Sequence, residues 1–207
     1  GIISNNIGRY NTSIGHTSMF NNTSGTWNTA IGAYALNANT EGSENTGIGL
    51  EALFSNTLGS KNVAIGKEAM KSNVANNEST AIGYQAMRYA DNRIAGRVTY
   101  NTAVGYQALR GSSIASNNTG RYNTSIGHTA MFNTTSGFGN TAIGYSAMLN
   151  NTSGEDNTVI GFQASNNNQT GDYNTAFGSG ALYYAVNSEN SAFGNSAGTD
   201  SDNSISC

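Results

Sequence analysis

The same short alternation recurs along the chain: a polar residue, a small residue, then a bulky apolar residue that is mostly β-branched, closed by glycine. Aligned on that glycine, it reads NTSIG at Gly15, NTAIG at Gly32, NTGIG at Gly49, NVAIG at Gly66, STAIG at Gly83 and NTAVG at Gly105. It continues as NTSIG at Gly127, NTAIG at Gly144, NTVIG at Gly161, NTAFG at Gly178 and NSAFG at Gly194. Period-two alternation over so short a run predicts an extended segment. Thr29 and Ile31 share one side of it and Ala30 takes the other. The glycines are 17 residues apart, except for steps of 22 before Gly105 and Gly127 and 16 before Gly194. Self-similarity at a fixed short period marks a repeat architecture.

After each marker glycine comes a variable residue, and three places after the glycine, in all units but the first, stands an alanine: Ala35, Ala52, Ala69, Ala86, Ala108, Ala130, Ala147, Ala164, Ala181 or Ala197. A side chain that is always small marks a close approach of two backbones. A Leu or Met follows it directly in most units, as at Leu36, Leu53, Met70 and Met148. A polar turn such as NNTSG then leads to the next repeat. Seventeen residues are too few for two packed helices, and β-branched residues with Gly/Asn punctuation favour strands. The fold expected is all-β: a parallel β-solenoid of about eleven coils, each with two short strands and two turns. At ~4.8 Å per coil it makes a rod roughly 50 Å long. Residues 1–207 form one domain, and the two extra five-residue steps place longer loops near 88–99 and 110–120.

In-register stacking turns each slot into a column. Ile14, Ile31, Ile48, Ile65, Ile82, Val104, Ile126, Ile143, Ile160, Phe177 and Phe193 form an apolar column. Asn11, Asn28, Asn45, Asn62, Asn101, Asn123, Asn140, Asn157 and Asn174 form an amide column that Ser79 interrupts, its side chains bonding from coil to coil or closing the turn.

Composition narrows the class. The chain has 26 glycines, no proline, 37% hydrophobic and 10% charged residues, a polarity that is neutral and not the charged polarity of disordered segments. The expectation is of many tight turns using φ > 0 positions that Gly and Asn accept cheaply. A net charge of −3 gives no basic field for nucleic acid. Arg88, Arg93, Arg97 and Arg110 read as solvated loop residues. No apolar run approaches the ~18 residues of a membrane span, so no direct membrane insertion is expected. The one cysteine, Cys207, offers no internal disulfide. A start in mid-pattern without Met reads as a processed product or excised segment.

The NTAIGYxAL-type repeats resemble the head repeats of trimeric autotransporter adhesins of Gram-negative bacteria, and also the arrays of phage tail-fibre proteins. The resemblance covers essentially the whole chain. It implies a left-handed parallel β-roll whose chains associate as a homotrimer around an apolar axis. It also implies an extracellular setting, on a cell surface or a virion. Under it, the Ile column lies either in the roll or at the trimer axis.

Chemistry that would identify an enzyme is sparse. His16 and His128 sit in identical GRYNTSIGHT decapeptides, in a slot that elsewhere holds Ala33, Leu50, Lys67 or Tyr84, so they read as surface residues. No catalytic or metal residues are assigned, no cofactor is implied, and an enzyme is not expected. Tyr84, Tyr106, Tyr145 and Phe162 are candidate glycan contacts. The leading expectation is therefore a structural or adhesive fibre module, assembling laterally as a trimer or end to end as a filament and meeting a host-surface glycan or protein receptor. The alternative is an ice-binding solenoid using the regular Thr column from Thr12 to Thr175.

Overall fold

The computed structural model describes residues 8–90, 92–184 and 187–199; Cys207 lies outside them. Eleven three-residue strands follow in chain order: β1 (Thr12–Ile14), β2 (Thr29–Ile31), β3 (Thr46–Ile48), β4 (Val63–Ile65), β5 (Thr80–Ile82), β6 (Thr102–Val104), β7 (Thr124–Ile126), β8 (Thr141–Ile143), β9 (Thr158–Ile160), β10 (Thr175–Phe177) and β11 (Ser191–Phe193). They make one sheet in sequential order. All pairs are parallel and in register, Thr on Thr and Ile on Ile, as at Thr29↔Thr46 and Ile31↔Ile48. The chain is a β-solenoid, and repeats are what set its register.

Each coil holds one strand, not the expected two. Past the marker glycine the second and fourth residues take left-handed backbone, as at Tyr34 (φ 60°) and Leu36 (φ 49°), which breaks any second extended run. Hydrogen bonds to neighbouring coils hold these residues there: Tyr34 N donates back to His16 O (2.9 Å) and Leu36 N forward to Ala52 O (2.9 Å). Left-handed backbone costs an L-residue roughly 1–2 kcal/mol, so the stacking must outweigh that at every coil. The expectation that Gly and Asn fill the positive-φ slots thus fails outside the marker glycines, because Tyr, Glu, Lys, Leu and Met occupy most of them. The marker itself does need glycine. Gly32 has φ 130°, and a Cβ there would lie 2.7 Å from Gly49 O in the next coil.

The interior is thin and uniform. Ala30, Ala35 and Leu36 are fully enclosed, and their equivalents in the inner coils are buried. Alternation in the strand decides which residues are inside: Ala30 is buried while Thr29 and Ile31 stay half-buried on the outer side. The Ile column therefore does not fill the roll. Only a small side chain fits behind the strand, since Leu36 and its equivalents already occupy the centre.

Asparagine completes the interior. In the expected column, Asn45 N donates to Asn28 Oδ1 (2.9 Å), and Asn45 Nδ2 donates to Gly59 O (2.7 Å). Asn190 extends the column, its backbone N donating to Asn174 Oδ1 at 3.0 Å. Ser79 substitutes with its hydroxyl, which accepts from Asn101 N at 3.2 Å. A second buried row, Asn22, Asn39, Asn56 and Asn73, stands seven residues after the marker, and Asn151 and Asn168 resume it. Asn39 Nδ2 donates to Asn22 Oδ1 (2.7 Å), and the next two links measure 2.9 and 2.8 Å. The glycine carbonyls tie the rows together. Gly59 O accepts from both Asn45 (2.7 Å) and Asn56 (2.9 Å). Every such bond satisfies a polar group that would otherwise be stranded inside.

Candidate functional site: the outer columns and the insertion groove

Four outer features follow from this stacking. The first is the strand face, where Thr and Ile columns stand side by side on the outer side of a parallel sheet. Most of the Ile column is half-buried. Ile82 and Ile126 are both 37% exposed on either side of the smaller Val104, and Phe177 and Phe193 reach 53% and 58%. The Thr column lies on the same side, half-buried for the most part, with Thr12 and Thr158 exposed.

The second is the slot after the marker glycine. Tyr84, Tyr106, His128, Tyr145 and Phe162 stack in one file with centroids 5.0, 4.7, 5.1 and 5.2 Å apart and ring planes within 14° of parallel. Lys67 Nζ stands 6.0 Å from the Tyr84 centroid at one end. Sugar stacking needs an open ring face, and both faces of Tyr106, His128 and Tyr145 are taken by neighbouring rings. The file presents ring edges outward, so Tyr84, Tyr106 and Tyr145 do not offer the open faces that a stacking glycan contact requires. At the ends of the file, the second face of Tyr84 is covered by Lys67, while Phe162 keeps a ring face that no aromatic neighbour covers. His16, from the same decapeptide as His128, has Ala33 next in its slot and only an edge contact with Tyr34 at 5.4 Å. Identical local sequence thus gives two different settings, decided by the adjoining coil.

The third is a charged patch over coils three to five. Lys71 bridges Glu51 Oε2 (2.7 Å) and Glu68 Oε1 (3.8 Å), and Arg88 Nε pairs with Glu68 Oε2 (2.9 Å). Burial pushes the Glu68 carboxyl up, but the Gln85 hydrogen bond with Arg88, Lys71 and Lys67 outweighs it and holds the group below its ordinary value.

The fourth is the pair of insertions. The second contains a 3-10 turn, Ala115–Asn117, and its Asn118 Nδ2 donates to Tyr89 O, fastening it to the first. Three of the arginines expected to be solvated are anchored here instead. Arg88 is ion-paired, Arg97 donates to Thr119 O, and Arg110 lies 4.7 Å from the Tyr89 ring and 4.9 Å from Phe132. Arg93 is exposed. Beside Arg110 a groove of about 690 Å³ runs across the following coils.

Among the described residues, no group of three or more His, Cys, Asp or Glu could hold a metal, and no helix is long and apolar enough to cross a membrane. Compared with family models, curated proteins and solved structures, the chain has no match in any of the three.

Proposed function

We propose that the protein is a structural and adhesive module of an extracellular fibre, on a bacterial surface or a phage tail, whose strand face is buried against two further copies of the chain. The observation that carries this is the outward Ile column. It is a continuous apolar strip on an in-register parallel sheet, with no charged residue in either strand column. Roll interiors this thin bury little apolar surface, and lateral association hides what remains. The strip is also self-complementary, since three identical columns can meet about one axis. Sedimentation velocity tests it: the 21.5 kDa chain should sediment as a trimer, and Ile65→Arg with Ile143→Arg should release monomers. A wild-type monomer would sink the trimeric fibre.

One observation favours a second reading, ice binding. The Thr column faces outward in register from coil to coil, as at Thr124↔Thr141, so methyl and hydroxyl groups repeat along one sheet face. A monomer that shows thermal hysteresis, lost on Thr141→Arg, would establish that reading in place of the fibre.

A further inference from the structure

We propose that the groove beside the second insertion is a binding site for an acidic oligosaccharide, carboxylated or sulfated. This deepens the adhesive reading and rests on it. The groove exists because the repeat is broken there: the step from Gly105 to Gly127 carries five extra residues, and Ser112 and Ser113 of that loop form one wall. Its floor is three consecutive coils, which supply Asn133 and Thr135, then Asn150 and Thr152, then Gln169. Among the described residues its lining contains no carboxylate and no large apolar side chain.

The polar groups are fixed in place before any ligand arrives. Asn133 Nδ2 donates to Asn150 Oδ1 (3.0 Å), and Asn150 Nδ2 donates to Asn167 Oδ1 (3.1 Å). Thr135 and Thr152 each spend their hydroxyl proton on the carbonyl of the coil ahead, Thr152 O and Gln169 O, both at 3.0 Å. Their hydroxyl lone pairs remain as acceptors for a sugar hydroxyl. Along the groove, amides and hydroxyls therefore repeat coil by coil. Such a row suits an elongated, polyhydroxylated ligand and gives a compact one nothing extra.

Arg110 supplies the charge selectivity. Its guanidinium is held between Tyr89 and Phe132, and among the described residues its hydrogen bond runs from Nη2 to Tyr89 Oη at 3.4 Å. No carboxylate of a described residue pairs with it, whereas Arg88 one coil earlier is matched by Glu68. A planar cation kept rigid by aromatic faces, with donors to spare, recognises carboxylate or sulfate. The site also stays open in the assembled fibre. Asn133 and Thr135 come six and eight residues after Gly127, about half a coil from the strand residues 141–143 that form the proposed interface.

The test uses the full chain and isothermal titration with three tetrasaccharides: tetragalacturonate, a sulfated carrageenan tetramer and neutral maltotetraose. At least one acidic ligand should bind, with the neutral one weaker by roughly tenfold or more, the loss expected when a charge-assisted bond is removed. The first two arms say whether carboxylate or sulfate is the preferred anion. Arg110→Gln should abolish the preference for the acidic ligand. Asn150→Asp, which leaves the insertion's anchors untouched and adds a negative charge to the floor, should weaken acidic ligands again by roughly tenfold. The proposal is overturned if neither acidic ligand binds, if the neutral one binds as well, or if both variants bind like wild type. A trimer that binds no sugar would remove the groove and leave the fibre; a monomer would remove the fibre whatever the titration gives.

Discussion

The second asparagine row ends abruptly, and extending it by one residue tests the account of what holds the coils together. Asn73 donates backwards to Asn56 Oδ1 at 2.8 Å, but its own Oδ1 is buried and has no partner, because the next coil places Ala90 in the slot. Asn73 and Ala90 both line a half-open pocket of about 30 Å³. The backbone at Ala90 already has the geometry that the row uses: Ala90 N donates to Met87 O at 3.0 Å, as Asn73 N does to Met70 O at 3.0 Å. Ala90→Asn should therefore place an amide against Asn73 Oδ1 without moving the main chain. Satisfying a buried acceptor recovers ~1–3 kcal/mol, and filling the pocket at ~24 cal/mol per Å³ adds about 0.7 kcal/mol. Immobilising the new side chain and leaving its own oxygen half-served take back on the order of 1 kcal/mol. The net gain is about 0.7–2.7 kcal/mol, or on the order of 2–10 °C in a chain of this size. Thermal melts of wild type, Ala90→Asn and Ala90→Leu would read it. A gain in the Leu variant equal to that of the Asn variant would show that volume matters and the amide does not. No gain in Asn would refute the reasoning outright.

Three further outcomes follow from the same contacts. Asn45→Ala should destabilise by ~2–4 kcal/mol, since it strands Asn62 N, removes one of the two donors to Gly59 O and opens a void; urea midpoints would measure it. Glu44→Asn should raise stability by up to ~1 kcal/mol, because Glu44 is exposed at φ 60° and Asn tolerates that backbone better; the same denaturation assay decides. Glu68 is held below its ordinary pKa when folded, so its contribution is full above the unfolded value and drains away as pH falls through the lowered one. Wild type should lose stability over that acidic window, and Glu68→Gln should show a shallower loss.

The period, the parallel register, the buried alanines and the first Asn column were legible because each is a one-letter signal repeated at constant spacing. The second row was periodic too, with Asn seven residues after six of the eleven markers, yet its letters read as a polar turn. The reason is the width of the coil. In a section this narrow the inner side of the turn has no room for an apolar layer, so amides bonded to glycine carbonyls fill it. The left-handed residues were illegible for a different cause: Tyr34, Glu51 and Met70 have no local preference for φ > 0, and bonds to neighbouring coils impose it. The ring file needs knowledge of what lies above and below. His128 can be read as stacked only once Tyr106 and Tyr145 are known to occupy its flanking coils.

That dependence on the coils above and below bears on where recognition can arise in such a chain. Inner slots are constrained alike in most coils, by the Cβ-excluding contact at the marker glycine, by enclosed Ala and by amides whose partners sit one coil away. Outer slots carry no such constraint, and their contents drift: five places before the marker the column runs Tyr10, Trp27, Glu44, Lys61, Glu78, Tyr100, Tyr122. There Tyr10 and Trp27 stack at 4.2 Å, Lys61 reaches Glu78 at 3.9 Å, and Tyr100 stacks on Tyr122 at 5.3 Å. Neighbours in a column satisfy one another and so cancel much of what they could offer a ligand. Unspent binding capacity then collects where the repeat is interrupted and a side chain loses its counterpart in the next coil. Arg110 meets that condition, since Ser112 and Ser113 of the insertion wall the groove beside it and its own column continues as Phe132, Leu149, Asn166 and Tyr183, with no acid to pair with.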